Sequence, residues 1–190
     1  MESDAQRYDF PLTPESTVID AGGYEGNWSH VMRLSYGCRL VVFEPIQRFH
    51  ALCASRLAGL PHSLIHGALG GSARFEEMHI QQDSTGVFAG SPLVERVLVH
   101  DVLAILAAFQ PPAGRLDLLK LNIEGMEYEV LERLLAQGQQ EQIEHYLVQF
   151  HTCAPDYAKR RADITERLNY THRCVFCTPY VWEHWERRRT

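Results

Sequence analysis

A chain of 190 residues, 45% hydrophobic and 22% charged, has the size and apolar content of one globular domain with a full core. We expect a single domain over residues 1–190, with residues 1–14 as an N-terminal lead-in. Its formal net charge of −6 gives no field to attract nucleic-acid phosphates or anionic lipid, so neither is expected as a partner.

The start, Met1 to Arg7, is polar and acidic, unlike a secretory signal. The longest apolar stretch, Val102 to Phe109, is less than half of the ~20 residues that a membrane span needs. A cytoplasmic location with reduced thiols follows for the five cysteines. Thr17-Val18-Ile19-Asp20 reads as a β-branched strand broken by Gly22 and Gly23, and Gly26 opens a helix with Trp28, Val31, Met32 and Leu34 as its apolar stripe. Gly37 closes that helix. Arg39 to Phe43 forms a second strand ending at Glu44-Pro45, and Phe49, Leu52, Cys53 and Leu57 mark a second helix.

A third strand is expected over Ser63 to Leu69, then Gly70-Gly71 and a hairpin arm at Arg74 to Ile80. The stretch from Asp83 to Pro92 reads as a long loop with a ligand-facing role. Asp101 caps a helix to Phe109, and Pro111-Pro112-Ala113-Gly114 stops it. The nearly continuous apolar run Leu116 to Ile123 predicts a strand buried on both faces. A helix over Glu127 to Leu135, a strand over Ile143 to Phe150, a helix over Asp156 to Leu168 and a strand over His172 to Thr178 follow. Tyr180 to Trp185 alternates as a final strand, with Val181 and the flanking rings on the sheet, and Arg187-Arg188-Arg189 reads as a solvated tail. This alternation predicts a doubly wound α/β fold: a mostly parallel sheet with helices on both faces and ligands beyond the carboxyl ends of its strands.

Three segments fall at those ends. In Asp20-Ala21-Gly22-Gly23-Tyr24-Glu25-Gly26, missing side chains let backbone approach a ligand, but the spacing is not the Gly-x-Gly-x-x-Gly of a pyrophosphate-binding turn. Glu44 ends the second strand, where a carboxylate can accept both hydroxyl hydrogens of a ribose. The third runs from Asp117 to Leu131 through Lys120-Leu121-Asn122-Ile123-Glu124-Gly125. His151, Cys153, His172, Cys174 and Cys177 carry ligand-type side chains, but a strand at His172–Thr178 would turn Cys174 and Cys177 to opposite faces, and no metal site is expected.

With Val18-Ile19-Asp20-Ala21-Gly22, Val42-Phe43-Glu44-Pro45 and Gly67-Ala68-Leu69, the third segment resembles the FkbM family of class I S-adenosylmethionine-dependent methyltransferases, in order from Thr17 to His151. The resemblance implies a seven-stranded Rossmann-like sheet, S-adenosyl-L-methionine as donor with S-adenosyl-L-homocysteine as product, and O-methylation of a hydroxyl on a sugar, polyketide or related small molecule. By position, Asp20, Gly22 and Gly26 would line the methionine and ribose of the donor, Glu44 would hold the ribose hydroxyls and Ala68 would lie beside the adenine. Where the family has a Lys-Ile-Asp-Val-Glu-Gly type of run this chain has Asn122, and Gln149 stands where another acid is expected, which weakens divalent-metal chemistry and leaves a catalytically inactive donor-binding protein as the alternative. His151 is the first candidate general base and Glu124 the second; a Lys120–Glu124 pair is the bland reading of the latter. Tyr24, Trp28 and the terminal Tyr180, Trp182, His184 and Trp185 are candidates for walls of the acceptor pocket, with Asp83 to Ser91 as its cover, although the terminal rings are accounted for most economically by packing of the final strand.

Overall fold

The computed structural model describes residues 5–80, 92–109 and 114–189. The expected loop from Asp83 to Ser91 and the stop at Pro111-Pro112-Ala113 lie outside the described residues. In chain order the strands are β1 (Thr17–Ala21), β2 (Arg39–Glu44), β3 (Ser63–His66), β4 (Ala68–Gly70), β5 (Arg74–His79), β6 (Val94–Asp101), β7 (Leu116–Leu121), β8 (Ile143–Val148), β9 (His172–Thr178) and β10 (Trp182–Arg187). The α-helices are α1 (Asn27–Tyr36), α2 (Gln47–Arg56), α3 (Val102–Ala108), α4 (Glu127–Ala136) and α5 (Tyr157–Leu168).

The main sheet has seven strands in the order β3-β2-β1-β7-β8-β10-β9, parallel except for β10, which runs against both neighbours. From β1 the chain winds outward to β2 and β3, then returns to lay β7 on the other side of β1. The reversal of winding opens a crevice at the carboxyl ends of β1 and β7, the place where such sheets bind ligands.

Alternating residues of each strand feed two opposite layers. Ile19, Ala21, Phe43, Leu119 and Leu121 pack with Val102 and Ile105 of α3, Tyr128 and Leu131 of α4 and Ile164 of α5. Val18, Leu40, Val42 and Leu118 pack with Trp28 and Met32 of α1 and Cys53 of α2. The four leucines of β7 are each at most 2% exposed, and burying each stabilises the fold by about 1.5–3 kcal/mol. The N-terminal lead-in joins the second layer: Phe10 and Leu12 are buried in it, and the Trp28 indole donates to the Arg7 carbonyl at 2.9 Å.

Local signals acted where expected. Asp101 caps α3 by accepting from the Leu103 amide at 3.0 Å, and Gly37 ends α1 in the left-handed region, its amide donating to the Arg33 carbonyl. Other expectations need correction. Ser63 to Leu69 is two strands, because at Gly67 the chain leaves the main sheet; a Cβ there would lie 2.7 Å from the His100 ring and 2.9 Å from the Leu98 carbonyl. The arm at Arg74 to Ile80 pairs with β6, which was not foreseen, and β6 also pairs parallel with β4 to form a second, three-stranded sheet. Val31, Leu34, Leu52 and Val181 are exposed.

Cys174 and Cys177 do not face apart. Trp185 pairs with Cys174 and His184 with Phe176, so Val175 is an extra residue in a β-bulge. The two thiols consequently share a face, with Cys174 Sγ donating to the Phe176 carbonyl and Cys177 Sγ accepting from Arg161. Nor are Arg187 and Arg188 a free tail: Arg187 closes β10 and pairs with Glu144 at 2.8 Å, and Arg188 donates to the carbonyls of Asn169 and His172. No helix among the described residues is long and apolar enough to cross a membrane.

Under the lead-in, His145 of β8 and His184 of β10 meet ring to ring at 3.1 Å, with Phe10 edge-on to both. Burial lowers both imidazoles, and the His145 and Arg173 charges take His184 down to about 4. The unfolded chain therefore binds protons there near pH 6.5 while the native chain does not, so this contribution is complete above pH 6.5 and is lost as the pH falls toward 4. Thermal unfolding scanned over pH should show a falling melting temperature across that window, and a His184→Gln variant should flatten the fall; an unchanged slope would remove the pair as its cause.

Candidate functional site

The site is built on the turns that leave β1 and β7. β1 ends at Ala21, and the amides of Gly22 and Gly23 both donate to the Phe43 carbonyl at 3.0 Å. Gly22 has φ +87°, and a Cβ on it would sit 2.0 Å from the Asn122 carbonyl oxygen, so the two turns touch through backbone. Gly26 answers a different demand. A Cβ there would press on Cys53 of α2, 3.1 Å from Sγ and 3.2 Å from Cα, and Gly26 is not part of the cavity lining. The structure sets Gly26 against α2 and does not bring it together with the other expected donor residues.

Asp20 also changes role. Its side chain is 1% exposed, one oxygen accepting from the Ser29 hydroxyl and the other from the Lys120 ammonium, both at 2.5 Å. Lys120 further donates to the Gly22 carbonyl at 3.0 Å. The carboxylate is shut away from solvent and is not part of the cavity lining; it anchors the cation that holds the glycine turn. Lys120 therefore does not pair with Glu124.

Between these turns, β2 and the small sheet lies a cavity of about 320 Å³ lined by Gly22, Tyr24, Glu44, Phe49, Ala68, Asn122 and Glu124, among others. Three of the five expected donor residues, Gly22, Glu44 and Ala68, meet there. One wall is an apolar slot of Ile46, Phe49, Ala68 and Met78, with the Tyr24 ring 4.4 Å from that of Phe49. Trp28 is not in the lining: it packs in the layer behind, its ring 5.5 Å from the Lys120 ammonium.

Glu44 faces the cavity at the end of β2. One oxygen accepts from the Tyr24 amide at 2.7 Å and the other from the Ile46 amide at 3.0 Å. A carboxylate has about four lone-pair sites, so each oxygen keeps one for a ligand. Burial raises its pKa to about 7 despite the two amides.

Across the cavity, Glu124 sits at φ +53° in the turn after β7, and its carboxylate lies 3.3 Å from Nε2 of His151. The other ring nitrogen, Nδ1, is 3.2 Å from Oε1 of Glu127, a side chain with no exposed surface. Burial of His151 opposes a charge, but its hydrogen bonds to Glu124 and Glu127 outweigh that and raise it to about 9. Both flanking carboxylates thus favour the charged form of the ring. Of the two candidate bases, the one in the cavity lining is Glu124. Sequence reasoning missed Glu127 and Ser29; the acid two residues after Gly125 was visible but read only as the start of a helix.

The Asn122 side-chain oxygen is buried without a hydrogen-bond partner among the described residues. No three His, Cys, Asp or Glu side chains converge as metal ligands among the described residues.

The Lys120–Asp20 pair carries a direct test. Lys120→Met leaves a buried carboxylate with only Ser29, and equilibrium unfolding should show a loss of about 3–5 kcal/mol. Adding Asp20→Leu should return much of it, since an apolar pair removes the stranded charge. A single variant as stable as the parent would mean that the pair does not hold the turn.

Comparisons with known proteins agree with this architecture. Solved structures that share the fold include a Clostridium thermocellum protein described as an rRNA methylase, at 10% identity and TM-score 0.61, covering 99% of this chain and 94% of that one. An rRNA methylase from Streptococcus thermophilus has 12% identity and TM-score 0.55 over 94% of this chain and 90% of its own. M. capricolum TrmK, solved with S-adenosyl-homocysteine, has 9% identity and TM-score 0.53 over 97% of this chain and 67% of its own. No curated protein matches the chain. The methyltransferase FkbM domain matches residues 20–176, and the chain accordingly belongs to the FkbM family of S-adenosylmethionine-dependent methyltransferases.

Proposed function

We propose that the chain methylates a hydroxyl oxygen of a small-molecule acceptor, with Glu124 taking the proton. The observation that carries this reading is the Glu124 carboxylate on the cavity wall, in the same lining as Gly22, Glu44 and Ala68. The donor fits this cavity: the two free lone pairs of Glu44 suit a ribose diol, the slot of Ile46, Phe49, Ala68 and Met78 suits a flat purine, and the bare backbone of Gly22 leaves room for the amino-acid arm.

When bound, the sulfonium donor supplies a methyl group whose bond to sulfur breaks, its electron pair returning to sulfur, as the acceptor oxygen forms the new bond. The residues align the acceptor, exclude water and remove one proton. Alignment in a closed cavity can itself supply several kcal/mol, and a positioned base typically adds about 10²–10⁴-fold. Glu124 is suited to that task because it lines the cavity, and the protonated His151 behind it holds the carboxylate in place. Asn122 offers its unpartnered carbonyl oxygen to a hydroxyl or N–H of the bound ligands.

The acceptor is read as a small molecule because the ionisable carboxyl groups of this lining, Glu44 and Glu124, are both acids set in a mainly apolar wall and the chain has a net charge of −6, neither of which suits a polyanion. The solved neighbours named for rRNA share the fold at 9–12% identity, which says nothing about the acceptor here. Free thiols at all five cysteines fit a reducing compartment such as the cytoplasm.

Calorimetric titration with S-adenosylhomocysteine tests the donor half. A diol donating to Glu44 stabilises its ionised form, so binding should tighten as the pH rises through about 7 and release a proton below it. Glu44→Gln should weaken binding by roughly 10–100-fold and flatten the pH dependence. Failure of the parent protein to bind would overturn the reading. Tight binding without transfer to any hydroxyl acceptor would favour the inactive donor-binding alternative.

A further inference from the structure

Glu127 is the most completely buried acid near the site, with no exposed surface, yet it stands at the start of α4. Its oxygens have three partners. Oε2 accepts from the Gly125 amide at 2.9 Å, while Oε1 accepts from the His151 amide at 2.7 Å and faces Nδ1 of the same residue at 3.2 Å. One carboxylate thus fastens the turn after β7 to the segment after β8, and it does so through both the backbone and the ring of His151. On the far side of that ring stands Glu124 at 3.3 Å.

We propose that Glu127 is a positioning residue for methyl transfer: it holds His151 as an imidazolium whose Nε2–H supports the ionised Glu124 carboxylate at the cavity wall. This rests on the reading of Glu124 as the proton acceptor. The order follows from the hydrogen-bond chemistry. An imidazole between two carboxylates can satisfy both only by donating from both nitrogens, which requires the cation. A neutral ring would leave one carboxylate facing a lone pair. With Nδ1–H tied to the inaccessible acid, the remaining N–H is aimed at the accessible one.

The surroundings reinforce this choice. On α4 the Tyr128 hydroxyl donates to the His151 carbonyl at 2.7 Å, fixing the backbone from the other side, and Arg160 of α5 lies over the Tyr128 ring. The Cys153 thiol, held at about 11 by burial and by the Glu127 and Glu124 charges, stays protonated and adds no charge. Arg161 of α5, which lies over the rings of Phe150 and Tyr180, is paired with Glu183. Glu124 and Glu127 are therefore the acids that decide the state of the ring.

The test is nuclear magnetic resonance titration of the His151 ring, assigned by its loss in a His151→Gln variant, in the parent protein and in Glu127→Gln. The expected midpoint is about 9 in the parent. It should drop by roughly 1–3 pH units when one of the two flanking charges is removed, with S-adenosylhomocysteine affinity unchanged within about twofold. A merely structural Glu127 would lower stability and leave the midpoint where it was. A parent midpoint near 6.5, or one that does not move in Glu127→Gln, overturns the proposal. If Glu127→Gln does not fold, the parent decides: the amide resonances of Gly125 and His151 should titrate together with the ring near pH 9, and their failure to do so overturns the proposal equally. Failure of the parent to bind S-adenosylhomocysteine would instead remove the donor site, a separate outcome read in a separate measurement.

Discussion

The buried contact between Lys120 and Asp20 is the constraint on which the rest of the site depends. The two side chains come from adjacent central strands, at positions that pair in register, and both are shut away from water. Their attraction has to offset a large desolvation cost, and it does so with help from Ser29 and the Gly22 carbonyl. The last of these partners ties the pair to function. A lysine that must bond the glycine turn to complete its hydrogen bonds makes the shape of that turn part of the core's own stability.

Above this strut the site is a gathering of acids. Asp20, Glu44, Glu124 and Glu127 stand within the few turns at the carboxyl edge of the sheet, and the cations set against them are Lys120 and His151. The fold handles the excess in two ways: Glu44 is pushed toward its neutral form, and His151 is pushed toward its charged one. An aspartate at position 122 would add a further acid to a cavity that already holds Glu44 and Glu124. Asn122 supplies hydrogen-bonding capacity without that cost, so the departure from the family's usual residue is consistent with the electrostatics around it.

The central βα units were legible because each was announced by a run of β-branched or leucine residues that ends at or just before glycine or an acid: Thr17 to Asp20, Arg39 to Glu44, and Leu116 to Ile123 before Glu124-Gly125. The gathering of Gly22, Glu44 and Ala68 around one cavity was legible for the same reason, since strand ends are where such sheets bind ligands. What escaped were facts of contact. Gly22 and Gly26 look alike in the sequence, and only the position of Cys53 shows that the second faces a helix. Asp20 at a strand end looks like a ligand group until Ser29 and Lys120 are seen to hold it beneath the cavity wall rather than in it. The bulge at Val175 and the pairing of β5 with β6 depend on partners far along the chain, and local pattern does not specify register between such segments.

The placement of β10 has a further consequence, for the order in which the molecule can assemble. Within the main sheet β9 pairs with β10 alone, and β10 comes later in the chain yet fits between β9 and β8. When β9 has been synthesised its native neighbour β10 does not yet exist, and β8 still exposes its edge. The right-hand part of the sheet can close only after residues 182–187 arrive, and they must enter as a central strand rather than add to the rim. Growth of the sheet from β1 outward through β7 and β8 is therefore open to a nascent chain, whereas the last two strands dock as one hairpin in a late, cooperative step.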